Sequence, residues 1–147
     1  LFALGHTITL LGAVLAGWQA DAHLVDAVIG LSVVYKGFEN IGGFRTLGWI
    51  PDQRTAVLGF GLVHGLGLAT KVQDLQPSPD GLAANLVAFN IGVELGQLAA
   101  LSVMVLLFAL WRGSRGFDRA IVPANALLMA AGFLLFGYQL AGYLLAQ

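Results

Sequence analysis

The chain is predicted to be an all-α, polytopic transmembrane helical bundle, on three observations. Its apolar residues fall in long runs, its charges are scarce, and short turn-forming segments separate the runs. Of 147 residues, 58% are hydrophobic and 10% charged, against about 25% charged in an ordinary soluble domain. A helix rises about 1.5 Å per residue, so roughly 20 apolar residues cross a hydrocarbon core of about 30 Å. Five runs meet that scale closely enough to be read as spans of one transmembrane domain, 1–18, 24–44, 55–72, 82–111 and 121–146. The lipid bilayer is therefore the first expected partner. Seven scattered Lys and Arg residues and a net charge of -1 cannot form the basic stripe that a nucleic acid requires. The absence of cysteine removes disulfides and thiolate metal sites.

The first span starts at once with Leu1, without the basic region and small-residue cleavage site of a signal peptide. It is expected to be a processed or truncated start, with a helix missing upstream. This span carries His6, with Thr9 on the following turn. The second carries Ser32, Tyr35, Glu39 and Asn40, with Asp26 near its start. The third is short and glycine-rich, and it holds His64 between Gly61 and Gly65. The fourth is longer than one crossing needs and should tilt or protrude. It carries Asn90, Glu94 and Gln97, which fall within about 60° on one helix face, and Gly92 and Gly96 on roughly the opposite side. The fifth ends the chain, and its Tyr138 and Gln139 read as packing residues. The turns between spans are 19–23, 45–54 with Pro51, 73–81 with Pro77 and Pro79, and 112–119.

Loop charge predicts the orientation, because Lys and Arg are retained on the cytoplasmic side. Arg45 and Arg54 share one loop and Arg112, Arg115 and Arg119 another, while the alternate loops carry Asp21, Asp74 and Asp80. Loops 45–54 and 112–119 are accordingly expected in the cytoplasm and the carboxyl terminus outside.

Four ionisable side chains, His6, Glu39, His64 and Glu94, thus sit in four different spans. A charged group near the bilayer centre costs about 2.5–3.5 kcal/mol on insertion scales, so they are expected to meet. Counted from the outer helix ends, their depths differ by roughly 12 Å, which allows one shared mid-membrane band. Gly61 with Gly65 and Gly92 with Gly96 are small-xxx-small pairs that let helix backbones approach and serve as packing surfaces. Two imidazoles with two carboxylates match the ligand set of nickel, zinc or cobalt. Thr9, Asp26, Ser32, Tyr35, Asn40, Asn90 and Gln97 would support the ion or line its path. Against this stand a packing role for either histidine, an interfacial role for His23 and Asp26, and a buried ion pair of Glu39 with Lys36.

These segments resemble the HupE/UreJ hydrogenase and urease accessory membrane proteins, in the branch often called the second type. The matching stretches, in family order, are Gly5–Leu10, Ile29–Tyr35 followed by Glu39 and Asn40, Phe60–Ala69, and Phe89–Gln97. The resemblance implies a bacterial inner-membrane protein tied to nickel supply, so nickel becomes the foremost ion. It also implies an upstream helix bearing a histidine-rich motif, which this chain does not contain. Asp26 stands where the family pattern suggests glutamate, and Lys36 where an apolar residue is usual.

The functional expectation is a non-enzymatic, permease-like protein that binds and moves a divalent transition metal through an intramembrane His/Glu site. A structural or accessory subunit of a larger membrane complex, with partner membrane subunits and a fixed ion or lipid site, is the alternative reading. An intramembrane metal-dependent hydrolase is weaker, since only two histidines lie inside the spans.

Overall fold

The computed structural model describes residues 1–75, 80–114 and 116–146. Arg115 of the second basic loop, and Pro77 and Pro79 of the turn before the fourth span, lie outside the described residues. The helices are α1 (Phe2–Ala16), α2 (Ala22–Asn40), α3 (Gly43–Thr46), α4 (Gln53–Asp74), α5 (Leu82–Arg112) and α6 (Phe117–Leu145). Among the described residues there is no strand.

Capping chemistry sets several of these boundaries. At the end of α1, Gly17 takes the left-handed conformation at φ 66°, and the Trp18 amide donates back to the Ala13 carbonyl at 2.8 Å. That closes the helix with the glycine cap such ends favour. Asp21 begins α2 by accepting from the Leu24 amide at 3.0 Å, and Asp52 begins α4 by accepting from the Thr55 amide at 3.0 Å, each satisfying an otherwise orphaned N–H. The Thr55 hydroxyl also donates to Asp52 at 2.6 Å, and these bonds hold its carboxyl below the ordinary aspartate range.

The sequence reading departs from these bounds in two places. The second span ends at Asn40, four residues early, because the chain turns at Gly42 (φ 79°) into the short helix α3. The last helix begins at Phe117, four residues early, and runs through Pro123.

Among the described residues, three helices, α4, α5 and α6, are long and apolar enough to cross a membrane. Helix α1 is apolar but has 15 residues, about 22 Å of rise. Helix α2 has 19 residues but includes Asp26, Lys36 and Glu39.

The principal contacts run from α5 to α1, α1 to α4, α4 to α2 and α2 to α6. Glycine makes the two closest of these interfaces. Gly5, Gly61 and Gly65 leave no room for a Cβ between α1 and α4, and Gly30 with Gly132 does the same between α2 and α6. The expected packing pair Gly92 and Gly96 has nothing within 4 Å of a Cβ position among the described residues. The reason is that α5 meets the bundle along the Leu86 and Asn90 face, away from both glycines.

One end of the bundle is tied by Lys71 to Asp26 at 3.3 Å and by His23 to Gln139 at 2.7 Å. The other is tied by Gln53 to Glu39 at 2.8 Å and by Asn40 to Asn125 at 2.9 Å. Gln139, read from sequence as packing, is therefore a polar link between α2 and α6, and Tyr138 is 76% exposed.

Candidate functional site

The close approach of α1 to α4 places the first imidazole. With no Cβ on Gly61 or Gly65, the backbone of α1 at Phe2 and His6 rests directly on α4. The Thr9 hydroxyl completes the contact by donating across the interface to the Leu62 carbonyl at 2.7 Å. His6 is thereby 3% exposed, and its Nδ1 is buried with no hydrogen-bond partner among the described residues. An unpaired buried polar atom is costly, so this nitrogen marks a position suited to a ligand.

Beside it, α5 contributes a polar triangle. The Thr7 hydroxyl donates to Glu94 Oε1 at 2.6 Å, and the Asn90 amide nitrogen donates to the same oxygen at 2.9 Å and to Thr7 Oγ1 at 3.0 Å. Asn90 is 5% exposed, and its Oδ1 is buried and unpartnered. Both donors fall on one carboxylate oxygen, which stabilises the ionised form. Thr7 was not singled out in the sequence. It is one residue, about 100°, round from His6, so it faces α5 while His6 faces α4. A threonine next to an intramembrane histidine on an otherwise apolar helix was the available signal. Gln97 makes no hydrogen bond to this triangle among the described residues.

His64, on α4, lies close to His6, the Phe2 ring reaching both imidazoles. Its Nδ1 is 2.8 Å from the Phe60 carbonyl oxygen. A carbonyl only accepts, so Nδ1 carries the proton and Nε2 keeps its lone pair, the arrangement that prepares an imidazole for a metal. His64 lines a cavity of about 360 Å³ together with Phe2, Ser32, Tyr35, Lys36, Glu39 and Gln53. The Tyr35 hydroxyl is buried there without a partner, whereas Ser32 donates to its own helix at Ile29, 2.7 Å. Glu39 accepts from Lys36 Nζ at 2.5 Å and from Gln53 at 2.8 Å.

The four expected ligands are not gathered at one point among the described residues. Among the described residues, no three His, Asp or Glu side chains come together as a metal-holding group. His6 lies within electrostatic reach of both His64 and Glu94, and His64 and Glu39 line the same cavity between α2 and α4. The side chain of Phe2 touches both imidazoles, stacked on His6 at 6.3 Å and edge-on to His64 at 5.2 Å.

Asn40 borders Glu39, lining a cavity with it, Lys36 and Gln53, whereas Asp26 lies elsewhere. Asn40 bonds Asn125 on α6, and Asp26 is engaged by Lys71 and, at 3.4 Å, by Gln139 at the opposite end of the bundle.

Fold and site together define an integral membrane α-helical protein with ionisable groups inside apolar helices. A family model described as HupE / UreJ protein matches residues 1–147, the whole chain, and the chain belongs to that family. No curated protein and no solved structure matches it.

Proposed function

We propose that this chain is a permease-like protein whose transported substrate is a divalent transition metal ion. Nickel is the foremost candidate and zinc and cobalt are the alternatives that the same donor chemistry admits. The observation that carries the reading is the pair of buried atoms without a partner among the described residues, His6 Nδ1 and Asn90 Oδ1, with Asn90 bonded to the Glu94 carboxylate. An ionisable carboxylate within an apolar helix is a functional group by default. Here it stands next to a free imidazole nitrogen and a free amide oxygen, donors that a transported cation would satisfy in passing. Few and mixed ligands suit release better than storage. Protonation of Glu94 would weaken cation binding and so couple release to a proton gradient. In this reading the basic loops face the cytoplasm, and the Glu39 end of the α2–α4 cavity is the cytoplasmic mouth.

The test is Ni²⁺ accumulation in cells producing Glu94→Gln, with membrane insertion checked by immunoblot. Accumulation is expected to fall with insertion intact, and unchanged accumulation would rule the role out.

One observation favours a second reading, an accessory subunit of a larger membrane complex. The most apolar stretch of α5 has no buried residue, which leaves a long face for a neighbouring helix. Stoichiometric co-isolation of a membrane partner, without Ni²⁺ flux in liposomes, would support this reading over transport.

A further inference from the structure

Lys36 departs plainly from an apolar span, and its position leaves the Glu39 carboxylate already engaged. Its Nζ lies 2.5 Å from Glu39 Oε2, while Gln53 on α4 donates to Oε1 at 2.8 Å. Both oxygens of the carboxylate are thus engaged by donors. The Glu39 side chain is 16% exposed and that of Lys36 53%, so the anion is largely withdrawn from water while the ammonium reaches it from a wetter position.

We propose that Lys36 is a tethered cation masking a divalent-metal site on Glu39, and that a metal ion reaches this carboxylate only by exchanging with the Lys36 ammonium. A part-buried carboxylate left without its counter-charge favours a proton or another cation in its place. The cavity it borders offers suitable company, since His64 with its free Nε2 and Tyr35 with its unpartnered hydroxyl line the same walls. Nitrogen and oxygen donors in that mixture suit a divalent transition metal. An ammonium has only donors to offer and cannot itself be a ligand. When it returns to Glu39 it expels the metal, which makes Lys36 a release device at one mouth of the path. That role in transport rests on the permease reading, whereas the masked site stands on the geometry alone.

The experiment is a Co²⁺ titration of the purified protein in detergent, read by the visible absorption of bound cobalt, for the unaltered chain, Lys36→Met and Lys36→Met with Glu39→Gln. Lys36→Met should bind one more Co²⁺ per chain, or bind at least tenfold tighter, and the added Glu39→Gln should abolish the gain. Identical isotherms for the unaltered chain and Lys36→Met would overturn the proposal, as would a gain that survives Glu39→Gln. If Lys36→Met does not fold, the unaltered protein still decides the matter. Saturating Co²⁺ should then raise labelling of Lys36 by an amine-reactive reagent toward its level in Glu39→Gln, and a labelling yield indifferent to Co²⁺ would be fatal. Absent Ni²⁺ flux in proteoliposomes would remove the permease reading but leave the cobalt gain in place, so the two failures are distinguishable.

Discussion

The sharpest test of the packing scheme is Gly65→Ala set against Gly96→Ala. Each glycine belongs to a small-xxx-small pair, and each lies inside a helix. A Cβ on Gly65 would collide with Thr9 Oγ1 and with the His6 carbonyl, whereas one on Gly96 would meet nothing within 4 Å. Two of the atoms in the way at Gly65 are backbone, so α1 itself must shift. Overpacking of this kind costs about 1–3 kcal/mol. The shift also puts at risk the 2.7 Å bond from Thr9 to Leu62, which contributes about 0.6–1.5 kcal/mol. Alanine recovers about 0.5–1 kcal/mol of helix propensity over glycine at both sites, so this gain cancels in the comparison. Gly65→Ala should therefore be less stable than Gly96→Ala by about 2–4 kcal/mol. Unfolding by titration with SDS from mild detergent micelles, followed by tryptophan fluorescence, measures the difference. Two variants within about 0.5 kcal/mol of each other, the usual scatter for neutral surface changes, would refute the α1–α4 interface described here.

Thr7→Val keeps the shape of the side chain but removes the 2.6 Å donor to Glu94. A hydrogen bond to a charged group contributes about 1.5–3 kcal/mol, so Ni²⁺ uptake at neutral pH should fall by about tenfold or more, and uptake equal to that of the unaltered chain would remove Thr7 from the site. Asp52 provides a pH test. Its bonds to Thr55 set its folded-state pKa below the ordinary 3.8, so the cap stabilises the fold above that value and the contribution disappears as pH falls through the lower, folded value. The difference in unfolding midpoint between the unaltered chain and Asp52→Ala should accordingly shrink on acidification across that window, and a difference independent of pH would contradict the assignment. His23→Ala, which removes the 2.7 Å link to Gln139, should lower stability by about 0.5–1.5 kcal/mol, and no change in the same unfolding assay would show that this tie between α2 and α6 contributes nothing.

Much of the fold was legible because its causes are local. The stretches around His64 and Glu94 are apolar over the right length wherever the chain takes them, and the caps at Asp21, Asp52 and Gly17 act within a few residues. The four ionisable positions were legible for the same reason, since a charge in an apolar run stands out whatever surrounds it. Thr7 was passed over because its importance comes from Asn90 and Glu94, more than 80 residues away. Gly30 and Gly132 look no different in sequence from Gly92 and Gly96, yet the first two close an interface and the second two face none.

The sequence alone determined that this is a helical membrane protein of the HupE/UreJ family, which residues in its apolar runs are ionisable, and how its basic loops alternate. Those are properties of residue type, spacing and transfer free energy, and they need no partner. Tertiary structure alone decided that the four charges gather in no three-ligand group among the described residues, that Gln53 reaches Glu39, and that one glycine pair packs while the other does not. Each of those outcomes depends on which faces of distant helices meet, and helical periodicity fixes a face without fixing its neighbour.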